Sequence, residues 1–248
     1  MIPFLGIPVV NRGDLLLRCV KSIDTTVDQL CIINNGSDPG VTTAIKQIAE
    51  IAKESPYING FRSFSQPNAG CAGTWNQFIK LFPCQWWMIV GNDIQFSPGD
   101  LTKMTIFAQN NAHDTGAMFG NHGFSFFIVT RYGVRKVGLF DENIHPAYLE
   151  DCDWHYRAHL AGVKTQNVPD VKAIHGEAPS WGSMTIHSDT NLRHVNGRTH
   201  SNNFIYYKKK WGGINGDEKF THPFNDPNLP VCHWAFDVDF RAQQQWPT

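Results

Sequence analysis

The 248-residue chain has no charge imbalance: 21 Lys and Arg stand against 22 Asp and Glu, a formal net charge of −1. That excludes a global attraction to nucleic acid or to an acidic membrane, so an anionic ligand must be held by local groups. Paired-cysteine motifs are missing as well. Cys19, Cys31, Cys71, Cys84, Cys152 and Cys232 are scattered without a C-x-x-C, several in apolar or helical contexts, which points to free thiols in a reducing, cytoplasmic compartment. No apolar run approaches the roughly eighteen residues needed to span a bilayer, so the chain is expected to be soluble or at most peripheral. The apolar start, Met1 to Val10, lacks a basic region and carries two prolines, so it reads as a buried first strand rather than a signal peptide. Internal repeats and low-complexity blocks are absent too.

What is present is enough apolar material, 42% of residues, for one large domain or a domain with an appendage. Short apolar runs alternate with helical stripes, the pattern of βαβ units and a mostly parallel sheet flanked by helices. Strands are expected at Phe4–Val10, Leu30–Asn34, Gly60–Ser65 and Trp86–Val90, with helices at Asp14–Ile23, Val41–Ala52 and from about Gly70 or Ala72 to Phe82. Further on come a helix at Pro98–Asn111, strands at Gly116–Phe119 and Phe124–Val129, and helices at Arg131–Val137 and Glu150–Ala161. Residues 1–185 read as the main domain. Residues 186–248, rich in His, Asn, Gly and Trp, read as a covering segment packed on it, with helical spacing only over Ser201–Trp211.

Each early strand ends in polar or glycine-rich residues: Asn11-Arg12-Gly13, Asn34-Asn35-Gly36-Ser37, Gln66-Pro67-Asn68-Ala69-Gly70 and Gly91-Asn92-Asp93. In an open parallel sheet these ends share one rim, where ligands bind. Asp93 is placed to bridge a hard cation to phosphate oxygens, or else to cap its strand as a turn aspartate. His175, at the end of the run from Val171, can complete that coordination or be a packed, hydrogen-bonded histidine. Glu150, Asp151 and Asp153 crowd the first turn of a helix, where the dipole favours acids; their mutual repulsion suits a proton acceptor, and Asp151 is the candidate base. Trp154 is either a sugar platform or a core residue. Asn34 both donates and accepts, which matches a uracil or thymine edge, although Asn-Gly also makes ordinary turns. In the tail, Arg198, His200 and Tyr206 to Trp211 either close over a diphosphate or form a solvated basic face.

The ordered succession of these pieces resembles family 2 glycosyltransferases of the GT-A fold, over roughly residues 3 to 185. The matching stretches are Pro8-Val9-Val10-Asn11-Arg12, Ile32-Ile33-Asn34-Asn35-Gly36-Ser37, Asn68-Ala69-Gly70 through Asn76, Phe140-Asp141-Glu142 with Glu150-Asp151, and Ile174-His175 with Ser180. The resemblance implies a nucleoside diphosphate sugar held by Pro8, Val10, Asn11, Asn34, Asn68, Gly70, Asn76, Asn92 and Asp93. It implies Mn2+ or Mg2+ on Asp93 and His175, Asp151 as base, and Glu150, Asp153 and Trp154 on the side of a glycan or other hydroxyl acceptor. The implied chemistry is a single inverting displacement. The chain departs from the family pattern in carrying Gly91 where a D-x-D motif has its first acid, and Asn34 where an Asp is usual. Two competing readings are a sugar-phosphate nucleotidyltransferase, for which Asn11-Arg12-Gly13-Asp14 is a poor basic glycine loop, and a catalytically silent carbohydrate-binding protein.

Overall fold

The computed structural model describes residues 1–177, 180–181 and 183–232, with only the backbone at 180 and 181; the Ser180 side chain and the end of the expected covering segment, 233–248, lie outside the described residues. Ten strands and eight helices are described: β1 Leu5–Val9, α1 Gly13–Lys21, β2 Leu30–Asn34, α2 Pro39–Glu54, β3 Phe61–Ser65, α3 Gly70–Leu81, β4 Trp86–Val90, β5 Ile94–Gln95, α4 Asp100–Asn111, β6 Thr115–Gly120, β7 Gly123–Thr130, α5 Arg131–Val137, α6 Glu150–Leu160, β8 Lys164–Asn167, β9 Ile174–Glu177, β10 Ser180–Trp181, α7 Met184–His187 and α8 Thr190–Trp211.

Strand β4 shows why the sheet is sandwiched. Successive side chains in a strand point to opposite faces. Trp86, Met88 and Val90 join a cluster with Leu16, Cys19 and Val20 of α1, Val41 and Ile48 of α2, and Leu101 and Met104 of α4. Trp87 and Ile89 join the opposite cluster, with Trp75 and Phe78 of α3, Val134 and Val137 of α5, and Trp154 and Ala158 of α6. A strand apolar on both faces needs helices on both, and each fully buried large side chain contributes about 1.5–3 kcal/mol.

The seven-stranded sheet runs β3-β2-β1-β4-β7-β6-β8, parallel except that β7 is antiparallel to both its neighbours. The reversal brings the start of β7 and the end of β6 to the same rim as the ends of β1, β2 and β4, since Val90 pairs with Phe126. A small second sheet, β10-β9-β5, pairs Ile94 with His175. Nothing in the local pattern announces β5 and β8, which are short, and α8 begins eleven residues before the expected Ser201, capped by Asp189 accepting from the Asn191 and Leu192 amides. Helix α8 lies on α6 through Tyr207, Trp211 and Ile144, with Tyr156 and Leu160 beside them. None of the described helices is long and apolar enough to cross a membrane.

Candidate active site

At the shared rim, Asn11, Asn34, Asn35, Asn92 and Asp93 are all buried. The Asn92 amide donates to the Asn11 carbonyl (3.1 Å), and Asn11 donates to the Thr185 carbonyl (2.9 Å). Buried Asn11 Oδ1 has no protein partner among the described residues, which leaves one acceptor in the rim for a ligand donor. Asp93 Oδ2 accepts from the Met184 amide (2.7 Å), while Oδ1 lies 3.4 Å from His175 Nε2. The β5–β9 pairing makes that contact, with the Gly176 amide donating to the Asp93 carbonyl (2.9 Å).

At the end of β2, Asn34 Oδ1 accepts from the Gly36 amide (3.0 Å) and keeps a second lone pair. Gly36 is required there, because a Cβ would sit 2.1 Å from the Val10 carbonyl oxygen. Pro8 and Val10, half-buried, complete this end of β1. Asn35 is a hub: its Nδ2 donates to Thr74 Oγ1 (2.9 Å) and its Oδ1 accepts from Gln66 Nε2 (2.9 Å). Asn68 folds back to accept from the Gly70 amide (2.9 Å). Asn76, expected at the nucleotide, is 1% exposed and exchanges hydrogen bonds with both backbone groups of Phe140, donating at 2.9 Å and accepting at 2.9 Å. It pins the Phe140-Asp141-Glu142 turn, with its Nδ2 also donating to Glu142 Oε1 (2.8 Å).

The acid station divides three ways. Asp153, expected on the acceptor side, has no exposed surface; it accepts from Arg157 Nε (2.9 Å), Lys210 Nζ (2.6 Å) and Trp211 Nε1 (2.8 Å). Lys210 also donates to Asp141 Oδ2 (2.8 Å). Burial opposes ionisation of Asp153, but Arg157 and Lys210 outweigh it and hold its pKa below the usual range. Lys210 therefore does not close over a diphosphate. Trp154 is likewise fully buried, stacked on Phe140 and donating to the Gly138 carbonyl (3.0 Å), so it offers no face to a sugar. Glu150 is buried, and its pKa is pushed up to about 8 by burial first and the Asp151 charge second. Asp151 alone of the three opens on a cavity of about 170 Å3, with its Oδ1 accepting from the Cys152 amide (2.8 Å).

The turn between β6 and β7 spans both stations. On one side His122 packs against His175, ring centroids 5.3 Å apart, beside Asp93; on the other Phe124 lines the Asp151 cavity. Tyr148 marks the same junction: burial raises its pKa, a hydrogen bond with Ser183 opposes the rise, and Cys71, Glu150 and Asp93 all act on it electrostatically.

The sequence pattern of glycosyl transferase family 2 matches residues 5–147. The chain belongs to that family. It is a glycosyltransferase. Similar solved structures carry the same fold at low identity. A mannosyltransferase from Pyrobaculum calidifontis, in complex with GDP-Man and Mn2+, shares 12% identity over 86% of this chain and 77% of its own, with a TM-score of 0.58. S. aureus TarS 1-349 in complex with UDP-GlcNAc shares 11% identity over 81% of this chain and 66% of its own, with a TM-score of 0.55. The fold of this glycosyltransferase is thus GT-A. No curated protein sequence matches the chain.

Divalent-ion use is consistent with the donor set of this family 2 enzyme. Asp93 Oδ1 and His175 Nε2 lie close enough to share one ion, and a small hard cation commonly takes one or two protein ligands with phosphate oxygens completing its shell. Among the described residues, no three His, Cys, Asp or Glu converge into an all-protein site. Sequence reasoning missed His122, Tyr148 and Asn35. His122 and Tyr148 lie in turns without periodicity, and only the Asn-Gly turn signal at Asn35 was readable.

Proposed function

We propose that this glycosyltransferase moves a sugar, with inversion, from a UDP- or dTDP-sugar to a hydroxyl of a glycan acceptor in the cytoplasm. The observation that carries the reading is the β6–β7 turn, which flanks the Asp93–His175 pair on one side and the Asp151 cavity on the other. Asn11, Asn34, Asn92 and the ends of β1 and β2 would hold the nucleoside, and Asn68 and Gly70 would border it. The orphaned Asn11 Oδ1 suits an imide N–H. Asp93 and His175 would hold Mn2+ or Mg2+, which when bound neutralises charge on the departing diphosphate.

Asp151 accepts the acceptor's proton because it is the acid with access; Glu150 is buried beneath it. Holding donor and acceptor in line supplies much of the rate. A carboxylate in direct reach of the hydroxyl supplies on the order of 10²–10⁴-fold. The GDP-Man and UDP-GlcNAc complexes of the similar structures support a nucleotide-sugar donor of this class. The test is a thermal-shift and product-release panel of UDP-, dTDP- and GDP-sugars with Mn2+. A uridine or thymidine donor should stabilise the protein and release its diphosphate on addition of an acceptor. Asp151→Asn should bind that donor but lose transfer, and Asp93→Ala should lose the cation-dependent part of binding. Transfer surviving Asp151→Asn refutes the base; preference for GDP-sugars refutes the reading of Asn34.

A further inference from the structure

We propose that β3 is a pairing edge for a second copy of this chain, with the two β3 strands antiparallel about a twofold axis at Ser63 and the two large sheets joined into one. Strand β3 ends its sheet and is hydrogen-bonded on one side only, to β2. Main-chain groups along a strand point alternately to its two sides. The Gly60 carbonyl accepts from the Leu30 amide (2.8 Å) and the Gln66 amide donates to the Asn34 carbonyl (2.9 Å), so the even-numbered residues face β2. Phe61, Ser63 and Ser65 therefore turn their N–H and C=O groups outward, and no partner for any of these groups is present among the described residues.

Such an edge is normally blunted by a lysine, a proline, a bulge or a very short strand. The far edge of the same sheet, β8, is four residues long and opens on Lys164. Strand β3 carries none of these devices. It holds one register with β2 from Phe61 to Ser65, four of its five residues are exposed, and Phe64 keeps 41% of its surface open. Its single charge, Arg62, is drawn over the Phe82 ring (5.7 Å), and Phe64 lies on the same face with its ring centroid 6.5 Å from that of Phe82.

Self-complementarity names the occupant, because a twofold contact requires one patch to fit itself. With Ser63 opposite Ser63, Phe61 falls opposite Ser65, and these are the pairs whose outward groups exchange two hydrogen bonds each. Arg62 then falls opposite Phe64 in the closer, non-hydrogen-bonded pairs, so each Phe64 ring meets the guanidinium of the partner's Arg62 beside Phe82. The two arginines stand diagonally and do not oppose each other. A polyanion or an acidic surface would find a single cation on this strand, whereas a second copy uses every outward group. The strands β1, β2, β3 and β4 are parallel, so the antiparallel joint sends the two rims to opposite ends of the joined sheet and covers neither. A five-residue edge with two flanking aromatics is a small interface, which sets the expected Kd on the order of micromolar.

The experiment is sedimentation velocity on the full chain from about 1 to 200 μM, a range that brackets a micromolar Kd, with amide hydrogen exchange at the two ends of the range. Wild type should pass from monomer to dimer, and the Phe61, Ser63 and Ser65 amides should exchange more slowly at the higher concentration. Ser63→Pro removes an outward N–H and leaves the bonds to β2 intact, as proline on an edge strand can; it should weaken the dimer about tenfold or more. Phe64→Lys sets a second cation against Arg62 and should do the same. Adding Arg62→Glu to Phe64→Lys puts opposite charges into those two pairs and should return Kd to within about threefold of wild type, a rescue that an unspecific apolar contact would not give. If Ser63→Pro does not fold, Phe64→Lys and its double variant decide. A wild type that stays monomeric throughout overturns the proposal. So does a dimer unmoved by both single variants, which would place the contact elsewhere, and so does a double variant no better than Phe64→Lys, which would refute the register.

Discussion

Replacing Lys210 with Met removes the one cation that joins two carboxylates with no exposed surface. Its Nζ is 2.8 Å from Asp141 Oδ2 and 2.6 Å from Asp153 Oδ1, and Arg157 balances the second negative charge. Met matches the length and apolar volume of the lysine stem, so packing changes little and the loss is electrostatic. After the change, Asp153 keeps Arg157 and Trp211, and Asp141 keeps Tyr206 and the Asn143 amide. Among the described residues, one net negative charge is then buried without its lysine counterion, which costs about 3–5 kcal/mol. That is a large part of the 5–15 kcal/mol typical of a domain, and at about 2–4 °C per kcal/mol for this size it lowers Tm by roughly 6–20 °C.

Thermal and urea unfolding at pH 7 measure the effect. Adding Asp141→Asn to Lys210→Met removes the uncompensated charge and should recover about half or more of the loss, whereas a packing effect would leave the double variant no better than the single. A Lys210→Met protein melting within about 2 °C of wild type refutes the reasoning. The depressed Asp153 pKa gives a second readout. Its contribution is present above the unfolded carboxylate pKa of 3.8 and is lost as pH falls through the lower folded value, so wild-type stability should drop steeply only in strong acid.

Gly70→Ala should destabilise by about 1–3 kcal/mol, read as a shifted urea midpoint, since its φ is +69° and a Cβ would lie 2.7 Å from the Pro146 carbonyl oxygen. His175→Ala should weaken Mn2+-dependent donor binding about tenfold or more by calorimetry while leaving Tm without metal within a few degrees. For Glu150, the folded pKa of about 8 stands above the unfolded 4.5, so the native state keeps a proton that the unfolded chain releases. Stability should therefore fall as pH rises from about 4.5 to 8, by up to about 1.4 kcal/mol per unit, and level off above that; Glu150→Gln should flatten the slope, and an unchanged slope places the ionisation elsewhere. Asn76→Ala should cost about 2–4 kcal/mol for two buried backbone groups left unpaired, by urea melts.

Where local chemistry decides structure, the sequence was readable. The run Trp86 to Val90 followed by Gly-Asn-Asp fixed a buried strand and its end, and Thr130 before Arg131 marked a helix start that the structure closes by a hydrogen bond from the Gly133 amide. The rim was legible for the same reason, because parallel strands send their ends to one side. The pieces that were not legible depend on partners distant in the chain. Strand β5 is two residues long and exists because Ile94 meets His175; nothing within either segment announces the other. Asp153 and Asp151 stand two residues apart in one acidic turn, and only helical rotation separates them, turning one to the core and the other to the cavity.

The lysine run shows how a local rule can mislead. Lys208-Lys209-Lys210 reads as a solvated or ligand-covering face, yet Asn203, Tyr207, Lys210 and Trp211 follow the spacing of one buried helical stripe. A cation in an apolar stripe requires an anion on the facing helix, and α6 supplies it in Asp153, with Arg157 and Asp141 balancing the charges among the described residues. The same turn of α6 begins with Glu150 and Asp151. The cluster therefore joins α8 to the helix that carries the proposed base, and both helices lie beyond residues 5–147 of the family match. Helix α8 is thus held to the start of α6 by buried charges, and its register follows from a lysine that composition alone assigns to the surface.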